Sequence, residues 1–136
     1  MRETISINSR PQDAYRQQDV LTANPIDVIV MLYDALKKNI LVGRKKIAKN
    51  DVQSAHDHLM KAQLIVAELV NSLDMSYEIS ENLLDLYEFM IKTLQEANMK
   101  KDEKLLEPLL EIVSDLRDAW NEISVSNKGS LYLKEG

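Results

Sequence analysis

Cysteine is absent from this 136-residue chain, glycine and proline occur three times each, and there is one tryptophan and one phenylalanine. Without thiols there is no disulfide framework and no thiolate zinc site, which fits a cytoplasmic location. So little glycine and proline leaves scant turn punctuation, so mostly helical structure with few long loops is expected. No stretch approaches the ~18 apolar residues needed to span a bilayer. The N-terminus carries no apolar core of signal-peptide length. There is no Gly-rich phosphate loop, no Ser or Cys nucleophile signature, and none of the Glu-x-x-His pairs of a di-iron bundle. No enzyme, no cofactor and no metal are therefore expected. A net charge of −5 argues against nucleic acid as the main partner. What remains is a chain of one-domain length, 45% hydrophobic and 29% charged.

Four apolar seams run along it. Asn24 and Pro25 read as an N-cap and a first helical position, with Asp27 favourable near the positive helix end. From there Ile26, Ile29, Tyr33, Leu36, Ile40, Gly43 and Ile47 recur at spacings of three and four, the pattern of a bundle-packed helix. Asn50-Asp51 breaks this seam, and Asp51 can cap a second helix with Val52, Ala55, Leu59, Ala62, Val66, Leu69 and Leu73 inward. Ser80 is expected to cap a third helix carrying Leu83, Tyr87, Met90, Leu94 and Ala97. Asp102 is expected to cap a fourth, with Leu105, Leu109, Ile112, Leu116, Ala119 and Ile123 inward. Pro108 falls about two turns inside that helix and should kink it or delay its start. Four helices of roughly 20 to 25 residues with short connections predict an all-α fold, an antiparallel up-down-up-down four-helix bundle. The bundle with an N-terminal flap or cap helix would occupy residues 15–123. Residues 1–14 and 124–136 read as flexible ends.

Each helix carries apolar residues beyond its seam. They crowd the first half of helix 1 (Val28, Val30, Met31, Leu32), the second half of helix 2 (Leu64 to Val70), the first half of helix 3 (Leu83 to Met90) and the last turns of helix 4 (Trp120). In an antiparallel bundle these four segments meet at one pole. That pole then has more apolar surface than a four-helix core can hide, which marks a binding surface. A segment carrying Tyr15, Val20 and Leu21 can shield it and yield it to a partner. The competing reading is that helix 1 is simply central and covered by its neighbours.

His56 and His58, the two histidines, are two apart and point in different directions on a helix, whereas a helical metal pair needs a spacing of three or four. His58, Lys61 and Ala62 loosely echo the His-x-x-Lys-Gly pattern of histidine phosphotransfer domains, so phosphate transfer through His58 stands as the alternative function. The charge runs Lys37-Lys38, Arg44-Lys45-Lys46 and Lys100-Lys101 read as solvated faces. The six methionines suit a core or surface that adapts its shape.

The stretch AYRQQDVLTANPIDVIVMLYDAL resembles the N-terminal signature of the flagellar secretion chaperone FliS family. Tyr15, Val20, Thr22, Ala23, Pro25, Met31, Leu32, Tyr33 and Asp34 match its pattern in order and spacing. LMKAQLIVAELVNSLD, LYEFMIKTLQEANMKKD and LRDAW are similar to later blocks, so the likeness spans roughly residues 15–120. Ala35 stands where the family usually has Gly, and Pro108 is a second departure. The resemblance implies a cytoplasmic, non-enzymatic chaperone that wraps the disordered C-terminal segment of flagellin, blocks premature polymerisation and delivers it to the export gate at the membrane. Client contacts are expected at Val28, Leu32 and Leu36 on helix 1 and Leu64 and Ile65 on helix 2, with Tyr15, Val20 and Leu21 as a displaceable flap. A weak homodimer remains open.

Overall fold

The structure, a computed structural model, describes residues 25–135, with side-chain surroundings for residues 25–126. Four α-helices follow one another: α1 Pro25–Ala48, α2 Val52–Asn71, α3 Glu78–Lys100 and α4 Leu106–Glu135, the last preceded by a 3-10 turn at Glu103–Leu105. No strand occurs among the described residues. Helix α1 packs against α2 and α4, and α2 packs against α3. The ring closes weakly, because α3 and α4 touch each other little.

Helix ends follow from local chemistry. Pro25 opens α1, where its missing N–H would have had no intrahelical partner anyway. Asp51 caps α2 by accepting from the Ser54 N–H at 3.2 Å. Helices α1 and α3 end alike: a non-glycine residue adopts left-handed φ, Asn50 at 60° and Lys101 at 51°. The next N–H then bonds back five residues, Asp51 to the Lys46 carbonyl and Asp102 to the Ala97 carbonyl. Asn tolerates that conformation. Lys101 has no such local preference, and its ammonium bonds the Asn98 carbonyl and side-chain oxygen.

Ser80 does not cap α3. The helix begins two residues earlier, at Glu78, with Tyr77 in the cap position and no side-chain cap bond. Ser80 is buried in the first turn, and its hydroxyl donates to the Asp74 carbonyl at 2.6 Å, tying the α2–α3 link to the helix. Pro108 does not interrupt α4, which runs unbroken from Leu106 to Glu135. It delays the helix start: Asp102 accepts from the Lys104 N–H of the 3-10 turn, α4 proper begins at Leu106, and Pro108 falls in its first turn.

The core is built from Tyr33, Leu36 and Ile40 of α1, Leu59, Ala62, Val66 and Leu69 of α2, Tyr87, Met90, Leu94 and Ala97 of α3, and Leu106, Leu109, Leu110 and Val113 of α4. Three seams are those expected apart from two positions: Val52, expected inward, is exposed at the start of α2, and Val30, expected outside the α1 seam, is buried. The fourth is rotated by about one residue. Leu109 is buried as expected, but Leu106, Leu110 and Val113 join it, while Ile112 and Leu116 are half-buried and Ile123 is exposed. At Gly43 α1 and α2 approach closely, since a Cβ there would stand 2.8 Å from Leu59 Cδ2. The backbone of α4 stays helical to Glu135, past the end expected near residue 123.

Candidate functional site

No helix among the described residues is long and apolar enough to cross a membrane. Nor is there a group of three or more His, Asp or Glu side chains able to hold a metal among those residues. The histidines sit on opposite sides of α2. His58 Nδ1 lies 2.9 Å from the Asn39 side-chain oxygen of α1, and His56 Nδ1 lies 3.1 Å from the Asn98 amide nitrogen of α3. Burial, then the charge of Lys61, holds the His58 pKa below its usual value. A ring that is partly buried and engaged at one nitrogen is poorly presented to a phosphorylated partner.

The two contacts also fix which side of each helix faces which neighbour. On α1, Val28, Leu32, Ala35 and Asn39 follow one another at spacings of three and four, so they share the flank that faces α2. On α2, His58 and Ile65 share the flank that faces α1. Val28, Leu32 and Ile65 are all half-buried there, and Leu32 and Ile65 pack onto the core. Leu64, one residue further round, is 65% exposed and points away from the bundle. Four of the expected contact residues therefore line one outer face along the α1–α2 junction. Leu36 does not: it is completely buried in the core and has no surface to offer a partner. Its place in the apolar seam already indicated this, because a residue at the centre of a stripe faces inward. Tyr15, Val20 and Leu21 lie outside the described residues.

At the pole where α1 begins, Met75, Tyr77 and Ile79 of the α2–α3 region and Ile123 and Val125 of α4 are exposed. Apolar exposure is not confined to that pole, since Leu41, Val52 and Met99 are exposed towards the other end and Met60, Leu64 and Phe89 along the sides. Beneath the pole lies a buried aromatic layer. The Tyr33 and Tyr87 hydroxyls are 2.7 Å apart, and the Trp120 indole reaches the Tyr33 hydroxyl. An indole N–H can only donate, so Tyr33 accepts from Trp120, while either tyrosine hydroxyl can be the donor in the bond between them. Burial pushes both tyrosine pKa values up, most for Tyr33, where the bond to Tyr87 adds to it. Sequence spacing located these rings in the seams but carried no sign that their polar atoms would meet.

Helix α4 is tied to α1 by polar contacts. Arg117 Nε lies 2.7 Å from Asp34 Oδ1, and the Ser124 hydroxyl donates to Asp27. Both ties lie on the side of α4 opposite Ile112 and Ile123.

The family model for flagellar protein FliS matches residues 7–127. The chain is 34% identical over 118 residues to the flagellar secretion chaperone FliS of Bacillus subtilis, covering 87% of this chain and 89% of the relative. It is 32% identical over 108 residues to that of Salmonella typhimurium, covering 77% and 80%. Its similarity to the Campylobacter jejuni protein is 25% over 118 residues, covering 85% and 92%.

Proposed function

Because this chain belongs to the FliS family of flagellar proteins, we propose that it is a non-enzymatic chaperone of flagellar export, acting in the cytoplasm. Its client is the disordered C-terminal segment of flagellin, which it keeps from polymerising and accompanies to the export gate at the membrane. The observation that carries this reading is the match of the FliS family along residues 7–127, supported by an all-helical bundle with apolar side chains left at its surface. The client lies along the outer α1–α2 face, against Val28, Leu32, Leu64 and Ile65. Tyr15, Val20 and Leu21 form the segment it displaces. An amphipathic segment folding onto such a face gains area-proportional burial, about 25 cal/mol per Å², against the cost of ordering it.

Calorimetric titration with a peptide of the flagellin C-terminus tests the reading. The expected result is a 1:1 complex with a large negative heat-capacity change, weakened by Leu64→Ala and Val28→Ala. No binding by the intact chain overturns the client assignment. Binding untouched by both substitutions moves the client to another face.

A further inference from the structure

Helices α3 and α4 touch each other little, and the flanks they turn towards one another are apolar. On α4, the ties of Arg117 and Ser124 to α1 fix the helix phase, so Ile112, Leu116 and Ile123 lie on the flank towards α3. On α3, Asn98 turns one flank to α2, which leaves Leu86 and Phe89 on the flank towards α4. Leu86, Ile112 and Leu116 are half-buried floor residues packed on the core. Phe89 at 53% and Ile123 at 43% exposure stand at the edges.

The outer rims are acidic. Glu78 and Asp85 follow the α3 edge, and Asp115 and Glu122 the α4 edge, each seven residues apart and each exposed. Among the described residues none of the four makes a salt bridge. Lys92, seven residues beyond Asp85 and also exposed, ends the α3 line with a cation. The basic run of the chain, by contrast, lies on α1 at Lys37, Lys38 and Arg44 to Lys46. An apolar floor between two lines of carboxylates fits a helix with a leucine-type stripe and lysine or arginine on both flanks. It repels one flanked by carboxylates.

We infer that the α3–α4 face is a second docking surface, taking an amphipathic helix with basic flanks from another protein. This surface lies on the opposite side of the bundle from the α1–α2 face and goes beyond the client assignment above.

The test uses the full chain and an 18-residue synthetic helix with a leucine face and lysine flanks, followed by calorimetry. The same peptide with glutamate flanks is the control. The lysine peptide should bind, more weakly as salt is raised. Phe89→Ser together with Ile123→Ser should weaken it at least tenfold, and Asp115→Asn with Glu122→Gln about threefold or more. All four positions are exposed, and circular dichroism melts are to check that each variant folds. Leu64→Ala should leave this peptide unaffected. Equal binding of both peptides, or insensitivity to the Phe89 and Ile123 changes, overturns the proposal. So does binding that appears only after residues 1–22 are deleted, because the chain then covers this face itself. Self-association lost on the Phe89 and Ile123 changes also overturns it, since the occupant is then a second copy. Failure here leaves the flagellin peptide result at Leu64 and Val28 intact.

Discussion

Tyr33→Phe removes one oxygen from the middle of a three-member chain buried under the apolar pole. In the native fold the Tyr33 hydroxyl accepts from Trp120 and is hydrogen-bonded to the Tyr87 hydroxyl across 2.7 Å. Tyr33 is fully buried and Tyr87 nearly so, so bulk water does not replace the bond between them, whereas Trp120 is half-buried. Leaving the Tyr87 oxygen and the indole N–H without that partner should cost about 1–3 kcal/mol, the desolvation penalty of buried polar groups left unpaired. Tyr87→Phe removes only one of the two bonds and should cost less, about 1 kcal/mol. The double variant removes both hydroxyls, so its cost should fall short of the sum of the singles by about 0.5–1.5 kcal/mol. Urea unfolding followed by helical circular dichroism gives all four corners of this cycle, with the midpoint shift multiplied by a shared m-value. Additive effects within about 0.3 kcal/mol, or a Tyr33→Phe protein as stable as the parent, would refute the bonded network.

The other expectations concern sites of different kinds. Leu36→Ala should cost about 2–5 kcal/mol by opening a cavity in the core, whereas Leu64→Ala should change stability by less than about 0.5 kcal/mol while weakening client peptide binding. Melts and titrations on the two variants separate a packing residue from a contact residue, and a binding defect confined to Leu36→Ala would reverse the assignment. Gly43→Val should lower stability by about 2 kcal/mol, because its side chain meets Leu59 where even a Cβ would stand at 2.8 Å. An unchanged urea midpoint would refute that close approach. For His58, burial and the charges of Lys61, Lys46 and Lys38 outweigh Asp57 and lower the folded pKa below 6.5. The folded state then binds this proton less readily than the unfolded chain, so its contribution is present above pH 6.5 and is lost as pH falls below it. His58→Gln should flatten the decline of stability as pH falls below about 6.5, and an unchanged slope would refute it.

Three of the four seams were legible because one stripe per helix, at spacings of three and four, is all that a buried face requires. Helix α4 was misread for a local reason. Leu105, Leu106, Leu109, Leu110, Ile112, Val113 and Leu116 make both candidate stripes apolar, so periodicity could not choose between them. The choice came from the 3-10 turn and from polar ties to Asp34 and Asp27, all matters of tertiary contact. Ser80 misled for a similar reason: a hydroxyl suited to capping was taken by a carbonyl of the preceding link. The exposed Leu64 and half-buried Ile65 could be named from a surplus of apolar residues beyond one stripe. Leu36 belonged to the stripe itself, and expecting it also to touch a client conflicted with that place, which helical geometry alone could have caught.

Pro108 has a consequence that its position makes concrete. A residue with no amide proton cannot be drawn into the interior of a helix without loss, so α4 cannot lengthen backwards through the 3-10 turn by more than a residue or two. The start of α4 is therefore set at one end, like a screw seated against a stop, and any change in the helix's length is left to its other end.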